Sequence, residues 1–210
     1  MDRVPLSAPS PDEHGDGVNL LVPGLRRRRW RVIGSGRHRL AEESMREVVF
    51  GVEDGTVQNM ALVAGMVGAA LANRVVVIAA AINAISGVLS MAMGTYLSSK
   101  AERDVALAHG DPAPQRYTPE RDALVMAAAY ASGALIPLLP FVVGLPRVAA
   151  LWISMGVAAA TLFVLGVAKA VASRQARLRS GLEMLLLASA AGVLGYALGS
   201  VARVVFGIEL

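Results

Sequence analysis

Five apolar runs follow one another along this chain: Val48 to Ala72, Val75 to Ser99, Leu124 to Gly144, Val148 to Ala172 and Leu182 to Val205. Each is long enough to cross a bilayer, since about 20 residues at about 1.5 Å rise span the hydrocarbon core. Lipid offers backbone N–H and C=O groups no partner, so such segments become helices that satisfy their own hydrogen bonds. The expectation is an all-α, polytopic membrane protein with five transmembrane helices. Hydrophobic residues make up 55% of the chain, and the charges gather in short runs between the apolar ones, a distribution that excludes a soluble domain.

Residues 1–45 read as a separate region. Met1 to Gly24 is rich in Pro, Gly, Asp and Ser, a composition that predicts disorder. A basic block follows, Arg26 to Arg29 with Arg31, Arg37 and Arg39, around Trp30. Next to a membrane such a block rests on anionic headgroups with the indole at the interface. The isoelectric point near 10 thus points to the lipid bilayer as partner and away from nucleic acid. No signal peptide is expected, because no apolar run follows the arginines directly. Residues 46–210 are the expected membrane domain.

The remaining basic residues orient it. Arg46, then Lys100, Arg103, Arg116 and Arg121, then Lys169, Arg174, Arg177 and Arg179 fall on one side of the predicted membrane. Only Arg74, Arg147 and Arg203 fall on the other. Positive charge stays inside, which predicts a cytoplasmic N-terminus and a C-terminus outside.

Glu53 and Asp54 interrupt the first run. Asp54 lies about 12 Å along a helix from Arg46, close to the middle of a core about 30 Å thick. Ionisable groups at that depth are expensive and mark function, unless they cap a helix or pair with an arginine. No Lys or Arg lies at comparable depth in any run. Gly51 and Gly55 flank the pair at a spacing that allows close helix approach or a local break, and Gln58 and Asn59 continue the polar chemistry one turn deeper. In the second run Asn83, Ser86, Gly87, Ser90, Met91 and Gly94 recur at spacings of three and four. That stripe either meets another helix or lines a path; packing alone can account for its glycines and serines, and methionine often only fills gaps. Cysteine is absent, so a metal site here must use oxygen, imidazole or thioether ligands. A thioether close to a membrane carboxylate points to a transition metal.

Four segments carry a family resemblance: Val49-Phe50-Gly51-Val52-Glu53-Asp54-Gly55; Ser90-Met91-Ala92-Met93-Gly94-Thr95-Tyr96-Leu97-Ser98-Ser99; Gly133-Ala134-Leu135-Ile136-Pro137-Leu138-Leu139-Pro140-Phe141; and Ser180-Gly181-Leu182-Glu183-Met184-Leu185. In this order, from about Arg46 onward, the chain resembles the vacuolar iron transporter family. The resemblance implies a homodimer that moves ferrous iron and manganese out of the cytosol in exchange for protons, along a path at the subunit interface. It maps the family's first-span aspartate onto Asp54 and its second-span methionine onto Met91. Two departures stand out. Thr95 occupies a position where vacuolar-type members have glutamate, which puts ion coupling and metal preference in question. Ala101 to Asp122, with Pro112, Pro114 and Pro119, replaces a long glutamate-rich metal-collecting domain, so the chain resembles a short form. Glu102, Asp104, His109, Asp111 and Glu120 remain there at spacings that suit no ligand set, as in a solvated loop.

Residues and resemblance together predict a metal site in which Asp54, and Glu53 if it faces inward, supply anionic oxygen. Met91 is then the soft ligand, and Asn83 or Gln58 the neutral ones. Doubling about a two-fold axis gives a six-coordinate site for Fe2+ or Mn2+. The metal is cargo, and no resident cofactor is expected. Desolvation favours the neutral form of a carboxylic acid in general, so protons and metal compete for one group, a route to antiport. The expected location is the bacterial inner membrane. An enzyme is disfavoured, since the runs hold no His, no Cys and no nucleophile beside a base; the alternative is a non-transporting metal sensor or scaffold. Elsewhere, Pro137 and Pro140 are expected to kink or end the third span and free its carbonyls. Gly195 and Gly199 read as packing, Glu183 as a favourable anion near a helix N-terminus, and Lys169 as a snorkelling anchor.

Overall fold

The computed structural model describes residues 36–110 and 118–207. They form five helices: α1 (Gly36–Gly68), α2 (Asn73–Ala108), α3 (Pro119–Val142), α4 (Arg147–Ser173) and α5 (Arg177–Phe206). Every expected span falls on one of them. Two boundaries differ most from expectation. α1 already begins at Gly36, so position 45 lies inside a helix, while the basic and Pro-rich segment before residue 36 lies outside the described residues. α2 continues to Ala108, because Ala101 to Ala108 contains neither Gly nor Pro and is made of good helix formers. Glu102 and Asp104 therefore sit on an exposed helical extension rather than in a loop.

Four of the five helices, α2 to α5, are long and apolar enough to cross a membrane. α1 is not, because Glu53, Asp54, Gln58 and Asn59 fall in its middle. Its position encloses Asn59, while Glu53 and Asp54 are half-buried and Gln58 is exposed on its flank. α1 packs against all four other helices, and Thr56, Asn59, Met60, Val63 and Ala64 on it are almost wholly buried. A helix enclosed by its neighbours needs no continuous apolar surface. The outer helices instead expose theirs: Ile78, Ile82, Ile85 and Leu89 on α2, and Leu194, Leu198 and Val201 on α5.

Glycines set the distances between the central helices. Gly55 faces the α3 backbone so closely that a Cβ there would lie 2.9 Å from the Ala134 nitrogen. Gly133 faces the backbone of Val52 in return. Further along, Gly195 of α5 lies against the backbone of Ala61, and Gly199 against that of Gly65. These are the short approaches that small residues permit inside membranes, and they give Gly195 and Gly199 the packing role expected of them. The contacts advance in the same direction on both partners, so α1, α3 and α5 run parallel, with α2 and α4 antiparallel to them.

Side chains tie the helix ends. At one end Arg121 donates to the Ser44 hydroxyl (2.7 Å) and Ser99 to Asp122 (2.7 Å). At the other, Arg147 donates to the carbonyl oxygens of Ala70 (2.7 Å) and Leu71 (3.3 Å), and Asn73 to that of Leu145 (3.0 Å). Ala70 has a left-handed backbone (φ 61°), and Arg147 holds that turn. One basic residue on the sparsely charged side therefore has a structural task. Glu183 pairs with Arg179 at 3.1 Å on the exposed first turns of α5, and Lys169 is exposed near the end of α4.

α3 does not end at its prolines but runs through both to Val142. Pro137 has no N–H for the carbonyl of Gly133 four residues earlier. The Thr56 hydroxyl of α1 donates to that oxygen instead, at 3.2 Å, and Ser154 of α4 donates to the carbonyl of Pro137 at 2.7 Å. Thr56→Val is expected to destabilise the bundle by about 1–3 kcal/mol, the cost of leaving a buried acceptor unpaired. In a Pro137→Ala background, where the backbone N–H is restored, the same change should cost much less. Unfolding of the four proteins in detergent measures the difference; equal costs in both backgrounds would show that Thr56 does not replace the missing donor.

Candidate functional site

The middle of α1 presents Asp54 and Gln58 one turn apart. Both face the region where α2 and α3 meet α1. Tyr130 of α3 is completely buried there, its hydroxyl donates to Oε1 of Gln58, and Asp54 lies within electrostatic reach of the phenol. The ring occupies the space over Gly87 of α2, where a Cβ would collide with the hydroxyl and ring atoms. Gly87, counted in the sequence as part of a packing stripe, is thus the floor beneath a tyrosine. Ala84, Tyr130 and Ala134 form a small apolar cluster, against which Val88 and Met91 pack.

Deeper along α1, Asn59 is fully buried and connects three helices. Its amide nitrogen donates to the Ala134 carbonyl of α3 at 2.7 Å, and its amide oxygen accepts from Nδ2 of Asn83 on α2 at 2.9 Å. Buried amides stay in such positions only when their hydrogen-bonding groups find partners. Asn59 has them from both neighbouring helices.

Four of the five residues expected to hold metal are therefore gathered where α1, α2 and α3 meet: Asp54, Gln58, Asn83 and Met91. Asn83 is engaged by Asn59, and Gln58 by Tyr130, so each amide has a fixed partner within the chain. Glu53 is half-buried, and among the described residues no hydrogen bond or ion pair joins it to the group. Neither Glu53 nor Asp54 forms an ion pair among the described residues, and neither caps a helix, since both lie inside α1. Among the described residues, no three His, Asp or Glu side chains converge on one point. One chain brings one carboxylate, one thioether and amide oxygens to this region.

Tyr130 and Asn59 are central to the geometry, yet neither was in the expected ligand set. Asn59 was legible as polar, whereas Tyr130 had one signal: a phenol in a small-residue stretch, Ala127-Ala128-Ala129-Tyr130-Ala131-Ser132-Gly133, must find a partner if buried. Glu47 was also passed over. It is 5% exposed, one of its oxygens lies 3.3 Å from the exposed Arg46 guanidinium, and the other has no hydrogen-bond partner among the described residues.

Long apolar helices around a central helix whose Asp54 has no ion pair among the described residues define an integral membrane protein with a polar centre inside its bundle. The chain belongs to the VIT family, whose model matches residues 45–111 and 106–200. It is similar to vacuolar iron transporter 1 of Arabidopsis thaliana, 25% identical across 80% of this chain and 89% of that protein. Vacuolar iron transporter homolog 5 of Oryza sativa subsp. japonica is 31% identical across 68% of this chain and 72% of its own length. A shorter match, 35% identical over 34% of this chain and 26% of the relative, is to the vacuolar iron transporter of Plasmodium falciparum. These relatives are named as transporters, in agreement with the expectation that the chain is not an enzyme. Their names are vacuolar and give no support to a bacterial inner membrane.

Proposed function

We propose that this protein carries a divalent transition metal, Fe2+ or Mn2+, across a membrane and out of the cytosol, in exchange for protons. The observation that carries the reading is Asp54: a carboxylate without a cationic partner among the described residues, on the helix that packs against all four others, with Gln58, Asn83 and Met91 around the same junction. Carboxylate and amide oxygens suit Mn2+ and Fe2+, and the thioether favours the softer of the two. Without an arginine to neutralise it, Asp54 is free to be neutralised by a proton or by a metal ion. That competition is the physical basis of exchange.

In this reading α1 is the fifth transmembrane helix. Its N-terminal end is cytoplasmic and the end of α5 is outside, as the distribution of Lys and Arg favours. A single chain offers too few ligands for six-coordination, so two copies pair and bring their Asp54 and Met91 side chains to one axis. The relatives' names support iron as cargo. The competing reading, a membrane metal sensor or scaffold, draws on Thr95, which lies one turn beyond Met91 on α2.

Uptake into proteoliposomes separates the two. Wild type is expected to move Mn2+ and Fe2+ under an imposed pH gradient, and Met91→Ala to lose most of that flux while remaining folded. Metal binding by purified protein in vesicles that stay impermeable would favour the sensor, and undiminished flux in Met91→Ala would remove the thioether from the site.

A further inference from the structure

The Tyr130 hydroxyl of α3 touches an expected ligand in the α1, α2 and α3 junction, Gln58. Several observations bear on it. The residue is 0% exposed, yet its hydrogen-bond acceptor, Gln58, is exposed on the flank of α1. The ring is fixed from the α2 side by Gly87, whose missing side chain leaves the space that the phenol fills. Asp54 is near enough to act on the same phenol electrostatically. A long amide side chain on an exposed flank ordinarily samples several rotamers, and holding one costs conformational entropy. Here a buried, immobile donor holds it.

We propose that Tyr130 is a positioning residue for the transported cation, an inference that rests on the transport reading above. Its O–H donates to Gln58 Oε1 and fixes the orientation of that amide. An amide oxygen has two lone pairs, so the oxygen that accepts from Tyr130 keeps one for a metal ion or its bound water. The hydrogen bond aims that lone pair, and Asp54 one turn earlier supplies the charge. Gly87 is part of the same device, because any side chain there would push the phenol off Gln58. Tyr130 itself does not touch the metal; it sets the direction from which Gln58 does.

The test is a kinetic cycle on the full-length protein in proteoliposomes, with Mn2+ as the probe. Tyr130→Phe keeps the ring over Gly87 and removes only the hydroxyl. It is expected to raise the apparent KM for Mn2+ roughly fivefold, the value of about one hydrogen bond, with a maximal rate within about twofold of wild type, the pattern of lost ground-state binding. Gln58→Leu should shift KM to a similar degree. The double variant should do no worse than Gln58→Leu alone, since residues acting as a unit are not additive. A purely structural tyrosine would instead lower the melting temperature and the maximal rate with KM unchanged, and that result overturns the proposal. So does full additivity in the double variant. If wild type moves neither Mn2+ nor Fe2+, the transport reading falls and this inference falls with it; if wild type transports and Tyr130→Phe matches it, this inference alone fails.

Discussion

Asp54→Asn is expected to reduce Mn2+ and Fe2+ flux by at least about tenfold while the protein still folds. The substitution keeps the shape of the side chain and removes its charge. At an effective dielectric constant of about 20, two unit charges about 4 Å apart attract by about 4 kcal/mol, and a divalent ion feels the loss more strongly. A factor of ten in affinity corresponds to about 1.4 kcal/mol, so even a heavily screened contact exceeds that threshold. Folding should survive because Asp54 is bonded to no cation in the bundle, and nothing is left unpaired when its charge goes. Flux of radioactive Mn2+ with and without a pH gradient is the measurement. Wild-type flux in Asp54→Asn would move the binding site elsewhere on the chain.

The second large effect concerns the backbone. Gly55→Val should strip most of the stability from the bundle, because its Cβ would stand 2.9 Å from the Ala134 nitrogen and closer still to the carbonyl oxygen of Tyr130. Neither is the end of a flexible side chain. α1 cannot retreat, since Gly65 and Gly68 hold it against α5 in the same way. Overpacking costs typically about 1–3 kcal/mol where side chains can adjust; here two backbones must separate, and the loss should lie at or beyond the upper end. Gly156 of α4 is the control, with nothing within 4 Å of its would-be Cβ, and Gly156→Ala should leave the melting temperature in detergent almost unchanged. Similar melting temperatures for Gly55→Val and wild type would mean that α1 and α3 do not approach as described.

Helix number and helix positions were legible in the sequence, because an apolar run about 20 residues long admits few alternatives in lipid. The centrality of α1 was not: its polar residues reduce its apolar signal, and only the packing shows that Asn59 is enclosed by other helices. The candidate site was legible wherever a residue was costly in its context, as Asp54, Gln58 and Asn83 were. Met91 came from the family resemblance as much as from its softness. Tyr130 escaped because its role depends on a glycine-sized absence at Gly87 and on a partner 72 positions earlier in the chain. Thr56 escaped for a related reason. Pro137 announced a freed carbonyl, but no pattern along the chain says which side chain, 77 residues away from Gly133, supplies the replacement donor.

The central place of α1 also bears on how the protein is made. Among the five helices α1 leaves the ribosome first, yet it is the one least able to enter lipid alone. Each charged residue near the centre of an inserting helix opposes insertion by about 2.5–3.5 kcal/mol, and α1 carries two acidic residues with Gln58 and Asn59 behind them. The partners that satisfy Gln58 and Asn59 belong to α2 and α3, synthesised later. α1 therefore reaches its stable position only when those helices close around it, so the first of these five helices is among the last to settle.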